Sequence, residues 1–289
     1  MLPSSFEYHR ADTLDEALSL LSQHGEEAKV LAGGQSLIPM MKLRFATPGH
    51  LVDINRIPGL DGIEERDGEL HLGTLVRHKA LAASDVVRKG YPTIADTAPQ
   101  IADPIVRNLG SIGGSLSHAD PAGDLASTML AMGASVVLRS TRGERVVPIG
   151  EFLVDTFTTS AEPDELLTEI RVPTPPPRSG GTYLKLERKV GDWATVGVAV
   201  ALTLSNGSIG RAGIALTGVG LKNLQATDAE QALAGAEPTD EAFADAGRKA
   251  AAIASPVSDV RGPEEYKRHM IEVYVRRGLA QARDDATAA

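Results

Sequence analysis

Two phrases in this chain could bind a ligand without any reactive side chain. K-V-L-A-G-G-Q-S-L-I-P places Gly33-Gly34 before Gln35 and Ser36, and L-G-S-I-G-G-S-L-S places Gly113-Gly114 between Ser111 and Ser115. Glycine has no Cβ, so backbone N–H groups beside it can approach an anion closely, and neighbouring hydroxyls add donors. Each phrase alone reads first as a tight turn. As a pair, each following an apolar run, they suggest two backbone segments converging on one phosphate-bearing ligand. Neither matches G-x-x-x-x-G-K-[ST], and no G-x-G-x-x-G follows the first strand, so a P-loop and a Rossmann fingerprint are both excluded.

The other candidates are weaker. H-A-D-P-A-G-D (118–124) resembles a metal cluster, but Asp124 reads better as the N-cap of a helix starting at Leu125, with Pro121 and Gly123 shaping the turn. No metal site is assigned, and His118 is left as a surface or pocket histidine. Trp193, the only tryptophan, sits at a loop–strand junction. There it either packs or stacks on a planar cofactor. Lys185 reads as a solvated strand lysine or as a partner for a phosphate or a ring edge. With no G-x-S-x-G and no H-E-x-x-H, no catalytic residue is assigned.

The elements that must position these residues follow from periodicity and punctuation. Thr13 and Glu16 form a T-x-x-E capping box ahead of Leu14, Ala17, Leu18 and Leu21, and Gly25 stops that helix. K-V-L-A and H-L-V-D-I read as strands flanking a helix over L-I-P-M-M-K-L-R, which makes a small α/β unit of residues 1–55. Asp67-Gly68 and the S-N-G-S phrase mark hairpins, and a third is expected over A-S-V-V-L-R-S-T-R-G-E-R-V-V-P-I. T-P-P-P-R-S-G-G (174–181) reads as a stiff then loose connector, followed by three strands and terminal helices. The tail D-D-A-T-A-A is expected to fray.

Composition narrows the class. The chain has 289 residues, 42% hydrophobic and 23% charged, with a formal net charge of −9. An acidic balance argues against nucleic acid as a partner. No apolar run reaches the roughly 18 residues of a membrane span, and the first residues lack the basic-then-apolar pattern of a secretory signal. There is no cysteine, so no thiolate nucleophile and no cysteine-held iron–sulfur or zinc site can lie on this chain. Redox chemistry would need an organic cofactor or a partner subunit.

With I-A-D-P-I-V-R-N-L-G-S-I-G-G-S, H-A-D-P-A-G-D and K-L-E-R-K-V-G-D-W-A added to A-G-G-Q-S-L-I-P, the chain resembles the FAD-binding medium subunit of molybdenum hydroxylases, nearest to the carbon monoxide dehydrogenase type. The resemblance runs over nearly the whole chain. It implies an α+β fold: a two-lobed vanillyl-alcohol-oxidase-like (PCMH-type) FAD-binding domain, with lobes 1–55 and 56–177, then a C-terminal α/β domain, 178–285, with an antiparallel sheet and helices. FAD would lie extended between the domains. Ala32, Gly33, Gly34, Gln35 and Ser36, with Leu37 beside them, and Ser111, Ile112, Gly113, Gly114 and Ser115 match the two loops that hold the pyrophosphate. Ile101 and Leu167 match apolar positions lining the flavin or adenine pocket. Asp124 matches an acidic residue near the cofactor, Lys185 a lysine close to the isoalloxazine, and Trp193 an aromatic, often tyrosine, over one flavin face. Gln35 stands where relatives often carry histidine, and Ser115 where many carry Asn or Asp.

The resemblance further implies a large subunit with the molybdenum cofactor, a small subunit with two 2Fe-2S clusters, a dimer of heterotrimers, and an external acceptor such as a quinone. The implied location is cytoplasmic, with contact to the inner membrane face through the acceptor. The alternative within the family is the flavoprotein subunit of another molybdenum hydroxylase, with an aldehyde, xanthine or N-heterocycle as substrate. Readings from other classes are a cofactor-free assembly subunit with purely structural Gly-Gly turns and a standalone flavin oxidase.

Overall fold

The computed structural model describes residues 2–288. Its first unit contains β1 (Glu7–Arg10), α1 (Leu14–His24), β2 (Ala28–Leu31), α2 (Leu37–Lys42) and β3 (His50–Asp53). The strands form a parallel sheet in the order β1-β3-β2. The expected capping box opens α1: Thr13 Oγ1 accepts from Glu16 N–H, and the Glu16 carboxylate reaches back to Asp12 N–H at 2.9 Å. Ala17, Leu18 and Leu21 pack onto Val52 and Ile54, and the same core takes in Leu60, Leu75 and Leu166 from the following segment. This unit is therefore sealed by the next one.

The second segment runs β4 (Ile63–Arg66), β5 (Glu69–Gly73), α3 (His78–Ala83), α4 (Asp85–Gly90), α5 (Pro92–Thr97), α6 (Pro104–Leu109), α7 (Ile112–His118) and α8 (Asp124–Met132). It continues with β6 (Ser135–Ser140), β7 (Gly143–Pro148), α9 (Ile149–Phe152), β8 (Leu153–Asp155), β9 (Thr158–Thr159) and β10 (Leu166–Pro173). Five strands form an antiparallel sheet in the order β4-β5-β10-β6-β7. Asp67 and Gly68 both have positive φ (53° and 78°), the primed-turn geometry expected between β4 and β5.

The last segment holds β11 (Ser179–Leu186), β12 (Val196–Ser205), β13 (Ser208–Thr217), β14 (Leu224–Gln225), α10 (Thr227–Leu233), α11 (Asp240–Ile253) and α12 (Glu264–Ala288). Its antiparallel sheet, ordered β11-β12-β13-β14, is covered on both faces. Val198, Val200 and Ile214 join a core with Phe243, Ile271 and Val275, whereas Tyr183, Ala199 and Ala215 join the core of the second segment. Double burial explains why β12 is almost continuously apolar instead of alternating.

Three local expectations fail. Gly180 and Gly181, read as a loose connector, are buried within β11. The tail does not fray: Asp284 to Ala288 continue α12 with Ala286 fully buried, and Ala289 lies outside the described residues. Gly113-Gly114 is not a turn. It is the first turn of α7, capped by the Ser111 hydroxyl accepting from Gly114 N–H. No described helix is long and apolar enough to cross a membrane.

Candidate cofactor-binding site

A cavity of about 1270 Å³ opens between the first two segments and the β11–β12 connection. It exceeds the roughly 300–1,000 Å³ of an ordinary small-molecule pocket, which suits an extended dinucleotide. Ala32, Gly33, Gly34, Gln35, Ser36, Leu37, Ile101, Ser111, Gly113, Gly114, Ser115, Asp124, Leu167, Lys185 and Trp193 all line it. Ile112 does not. Its side chain is fully buried in the core, and its N–H is taken by Val76 O at 2.9 Å.

The two glycine phrases are neighbours but not equivalents. A Cβ on Gly33 would overlap Leu109 O and lie 2.8 Å from Gly110 Cα, so the first loop rests directly on the backbone leading into the second phrase. Among the described residues, no protein acceptor takes the N–H groups of Gly33, Gly34, Gln35, Ser36 or Leu37. The second phrase is largely spent internally. Gly113 N–H bonds Thr74 O, Gly114 N–H bonds Ser111 Oγ, and Ser115 N–H bonds Ser111 O. Gly113 is required by packing, since a Cβ there would overlap Thr74 Oγ1 and sit 2.8 Å from Thr74 O. An anion between the phrases would thus find backbone donors on the first loop and hydroxyls on the second.

Sequence reasoning missed the clamp that joins these walls. Arg77 donates to Leu109 O and to Asn55 Oδ1, each at 2.5 Å, and Asn55 Nδ2 donates to Ala32 O at 2.8 Å. The chain from Arg77 through Asn55 to Ala32 ties the first loop to the second segment. Both residues follow ordinary strand or loop phrases, and nothing in their local spacing links them.

At another wall Asp124 departs from its expected role. Gly123 is the N-cap, and Asp124, the first residue of α8, turns its buried carboxylate toward β11. Tyr183 donates to Oδ1 at 2.6 Å and Lys185 Nζ to Oδ2 at 3.0 Å, with Gln100 O 3.2 Å from the same ammonium. Burial raises the Asp124 carboxyl above its ordinary range, against the opposing pull of the Lys185 charge and the two hydrogen bonds. Burial and the nearby carboxylate hold the Tyr183 phenol well above its usual value, so it stays a donor. Of the two readings of Lys185 the solvated one fails: its side chain is only 2% exposed, and Glu187 Oε2 lies 3.5 Å from Nζ.

His78 is a second residue the sequence did not reveal. It lines the cavity at the start of α3, is 4% exposed, and its Nδ1 has no hydrogen-bond partner. Burial, then the positive charges of Arg77 and Arg107, lower it to about 4. The unfolded imidazole, near 6.5, binds its proton first as pH falls. Its contribution is therefore present above about 6.5 and is lost as pH falls from there through 4, on the order of 3 kcal/mol in all. His118, also lowered by burial, adds a slope of the same sign. His78→Gln should flatten the stability profile between pH 6.5 and 4 in denaturant unfolding; a profile of unchanged steepness would remove His78 as its source.

Trp193 is 49% exposed at the cavity rim, in a loop where Asp192 Oδ1 accepts from its backbone N–H and lies 3.5 Å from Arg261. His118 also lines the cavity, its ring 5.0 Å from that of Phe157. The free loop donors suit a phosphate-bearing ligand, and the size of the cavity suits a dinucleotide.

Comparison with known proteins gives this cavity its family. Residues 4–175 match the FAD binding domain in molybdopterin dehydrogenase, and residues 181–282 match the CO dehydrogenase flavoprotein C-terminal domain. The chain is 42% identical over 283 residues to the carbon monoxide dehydrogenase medium chain of Afipia carboxidovorans, covering 98% of each. It is 40% identical to the 6-hydroxypseudooxynicotine dehydrogenase complex subunit alpha of Paenarthrobacter nicotinovorans, covering 98% of this chain and 96% of that one. Its fold superposes with a TM-score of 0.96 on a solved chain of carbon monoxide dehydrogenase from Hydrogenophaga pseudoflava, at 44% identity and 99% coverage of both. The chain therefore belongs to the FAD-binding flavoprotein family of the molybdopterin dehydrogenases, as an oxidoreductase subunit.

Proposed function

We propose that this chain is the FAD-binding electron-transfer subunit of a heterotrimeric molybdenum hydroxylase of the carbon monoxide dehydrogenase type. In this reading it takes electrons from 2Fe-2S clusters of a small subunit, fed by the molybdenum cofactor of a large one, and passes them to an external acceptor such as a quinone. A dimer of heterotrimers in the cytoplasm is the assembly that follows. The observation that carries the reading is the row of N–H groups from Gly33 to Leu37, without a protein acceptor among the described residues, in one cavity with Gly114, Ser115 and Lys185.

The chemistry that FAD supplies when bound is exchange of electrons singly or in pairs, and the protein's task is to hold and tune it. The first loop would receive the pyrophosphate, with Ser111 and Ser115 hydroxyls opposite. Ile101 and Leu167 give apolar wall, Trp193 a planar face, and Lys185 a positive charge paired to Asp124. The division of domains proposed is 1–55, 56–177 and 178–285.

A second reading concerns the substrate. The 6-hydroxypseudooxynicotine dehydrogenase relative is almost as similar as the carbon monoxide dehydrogenase one. The same flavin subunit could therefore serve a complex that oxidises an N-heterocycle derivative. The test is the native complex: released flavin should be FAD, molybdenum and iron should co-purify, and carbon monoxide should bleach the flavin. Colourless protein that FAD cannot reconstitute would refute the flavin role, whereas bleaching only by a heterocycle would move the substrate. Trp193→Ala should perturb the flavin spectrum or its reduction rate while substrate oxidation persists with an artificial acceptor. Unchanged flavin behaviour would return Trp193 to packing.

A further inference from the structure

We propose that His9, His24 and His50, with Glu7 beside them, form a binding site for one divalent transition-metal ion of the zinc class. The three imidazoles come from β1, the last residue of α1 and the first residue of β3. One ring nitrogen from each lies within 4.8 Å of the others, the only such group of potential ligands among the described residues. His9 Nε2 and His50 Nδ1 are 3.0 Å apart, and Glu7 Oε2 stands 3.6 Å from His50 Nδ1 and 3.9 Å from His9 Nε2. Three imidazoles and one carboxylate make an N₃O set. Zinc takes such donors at about 2.0–2.1 Å in a tetrahedron, which sets neighbouring ligand atoms roughly 3.3–3.4 Å apart. The cluster already approaches that spacing.

The rings are stacked, His24 on His50 with centroids 3.7 Å apart and His9 about 5.2 Å from His50. Histidine χ2 is a broad torsion, so the lone pairs can converge by ring rotation without moving the backbone. The side chains of His9 and His50 are 24% and 16% exposed, which leaves an entry path from solvent.

The site lies outside the cofactor cavity but backs onto its wall. Glu7 N–H bonds Gly49 O at 2.8 Å and Gly49 N–H bonds Glu27 O at 3.0 Å, and both Gly49 and Glu27 line the cavity. An ion held by all three histidines would cross-link three separate segments behind that wall. Its role is to fasten structure, independently of electron transfer.

The experiment uses tag-free, chelator-treated, FAD-loaded chain titrated with Zn²⁺ and, separately, Co²⁺. Expected are one ion per chain, visible Co²⁺ bands of tetrahedral strength, and a midpoint of thermal unfolding higher by about 5 °C at a hundredfold excess over Kd. His24→Ala and His9→Gln should each weaken Zn²⁺ binding by at least the roughly 10–100-fold that loss of an outer-sphere partner costs, with flavin content unchanged. His269→Ala, at an exposed position of α12, should bind as the parent does. Absence of saturable Zn²⁺ uptake by the parent, or uptake by His24→Ala and His9→Gln as tight as the parent's, would overturn the site and leave the histidines as a packed stack.

Discussion

Lys185→Met is expected to destabilise the chain by about 3–5 kcal/mol, the cost of breaking a buried ion pair on one side. The ammonium is the only cation within bonding distance of the Asp124 carboxylate among the described residues, and both groups are nearly excluded from solvent. Without it, Asp124 keeps the Tyr183 hydrogen bond but loses the Coulombic partner that opposes its desolvation. Its carboxyl, already raised, should rise further. The sign of the pH dependence follows. An acid with a raised folded pKa binds more protons folded than unfolded, so the deficit is largest near neutrality and narrows as pH falls through that folded value. Asp124→Asn in the Lys185→Met background should recover most of the stability, because no buried charge then remains unpaired. Urea unfolding of the single and double variants measures this. A loss under about 1 kcal/mol for the single change would show that solvent reaches the pair.

The same substitution probes function. Lys185 lines the cavity, so with FAD bound there as proposed its removal takes a positive charge from the cofactor's surroundings. The flavin's reduction midpoint should fall in Lys185→Met, because negative charge added on reduction loses a stabilising neighbour. Asp124→Asn leaves the ammonium in place and should move the midpoint the other way. A shift of the same sign in both variants would indicate general loosening of the pocket, not charge.

Much of this arrangement was legible because it is written in short-range signals. The Thr13 capping box, the Asp67-Gly68 and Asn206-Gly207 hairpins and the open first glycine loop each depend on residues within a few positions of one another. What was misread depends on contacts across the fold. Whether Asp124 caps α8 or begins it differs by one residue locally, and the partners that decide it, Tyr183 and Lys185, lie 59 and 61 residues away. Gly113-Gly114 looked like a turn because glycine disfavours helix interiors. Tight packing of α7 on Thr74 overrides that preference. Gly180-Gly181 looked like a linker for the same reason, yet β11 lies buried there. The clamp from Arg77 through Asn55 to Ala32, and the histidines at 9, 24 and 50, are convergences that topology alone creates.

That contrast sets the sharpest test of the cofactor site. Gly33→Ala should weaken FAD binding by on the order of 100-fold, the loss of about two charge-assisted hydrogen bonds. The new methyl would meet Leu109 O and Gly110 Cα, which are backbone atoms fixed by Arg77 and by the start of α7, so the loop itself must lift away. Lifting carries the N–H groups of Gly34, Gln35 and Ser36 out of line together. Gly114→Ala meets a softer obstacle. Its methyl would lie 2.9 Å from Ser111 Oγ and 3.8 Å from Ala32 Cβ, and a serine hydroxyl can rotate, so its effect should stay within roughly 10-fold. Gly113→Ala should act on the fold instead, costing about 1–3 kcal/mol through overpacking against Thr74. Titrating flavin-free chain with FAD while following fluorescence of Trp193, the sole tryptophan, ranks the three variants directly. Equal loss of affinity for Gly33→Ala and Gly114→Ala would mean that both phrases hold the phosphates alike. The ranking expected here assigns that work to the first loop and makes the second its support.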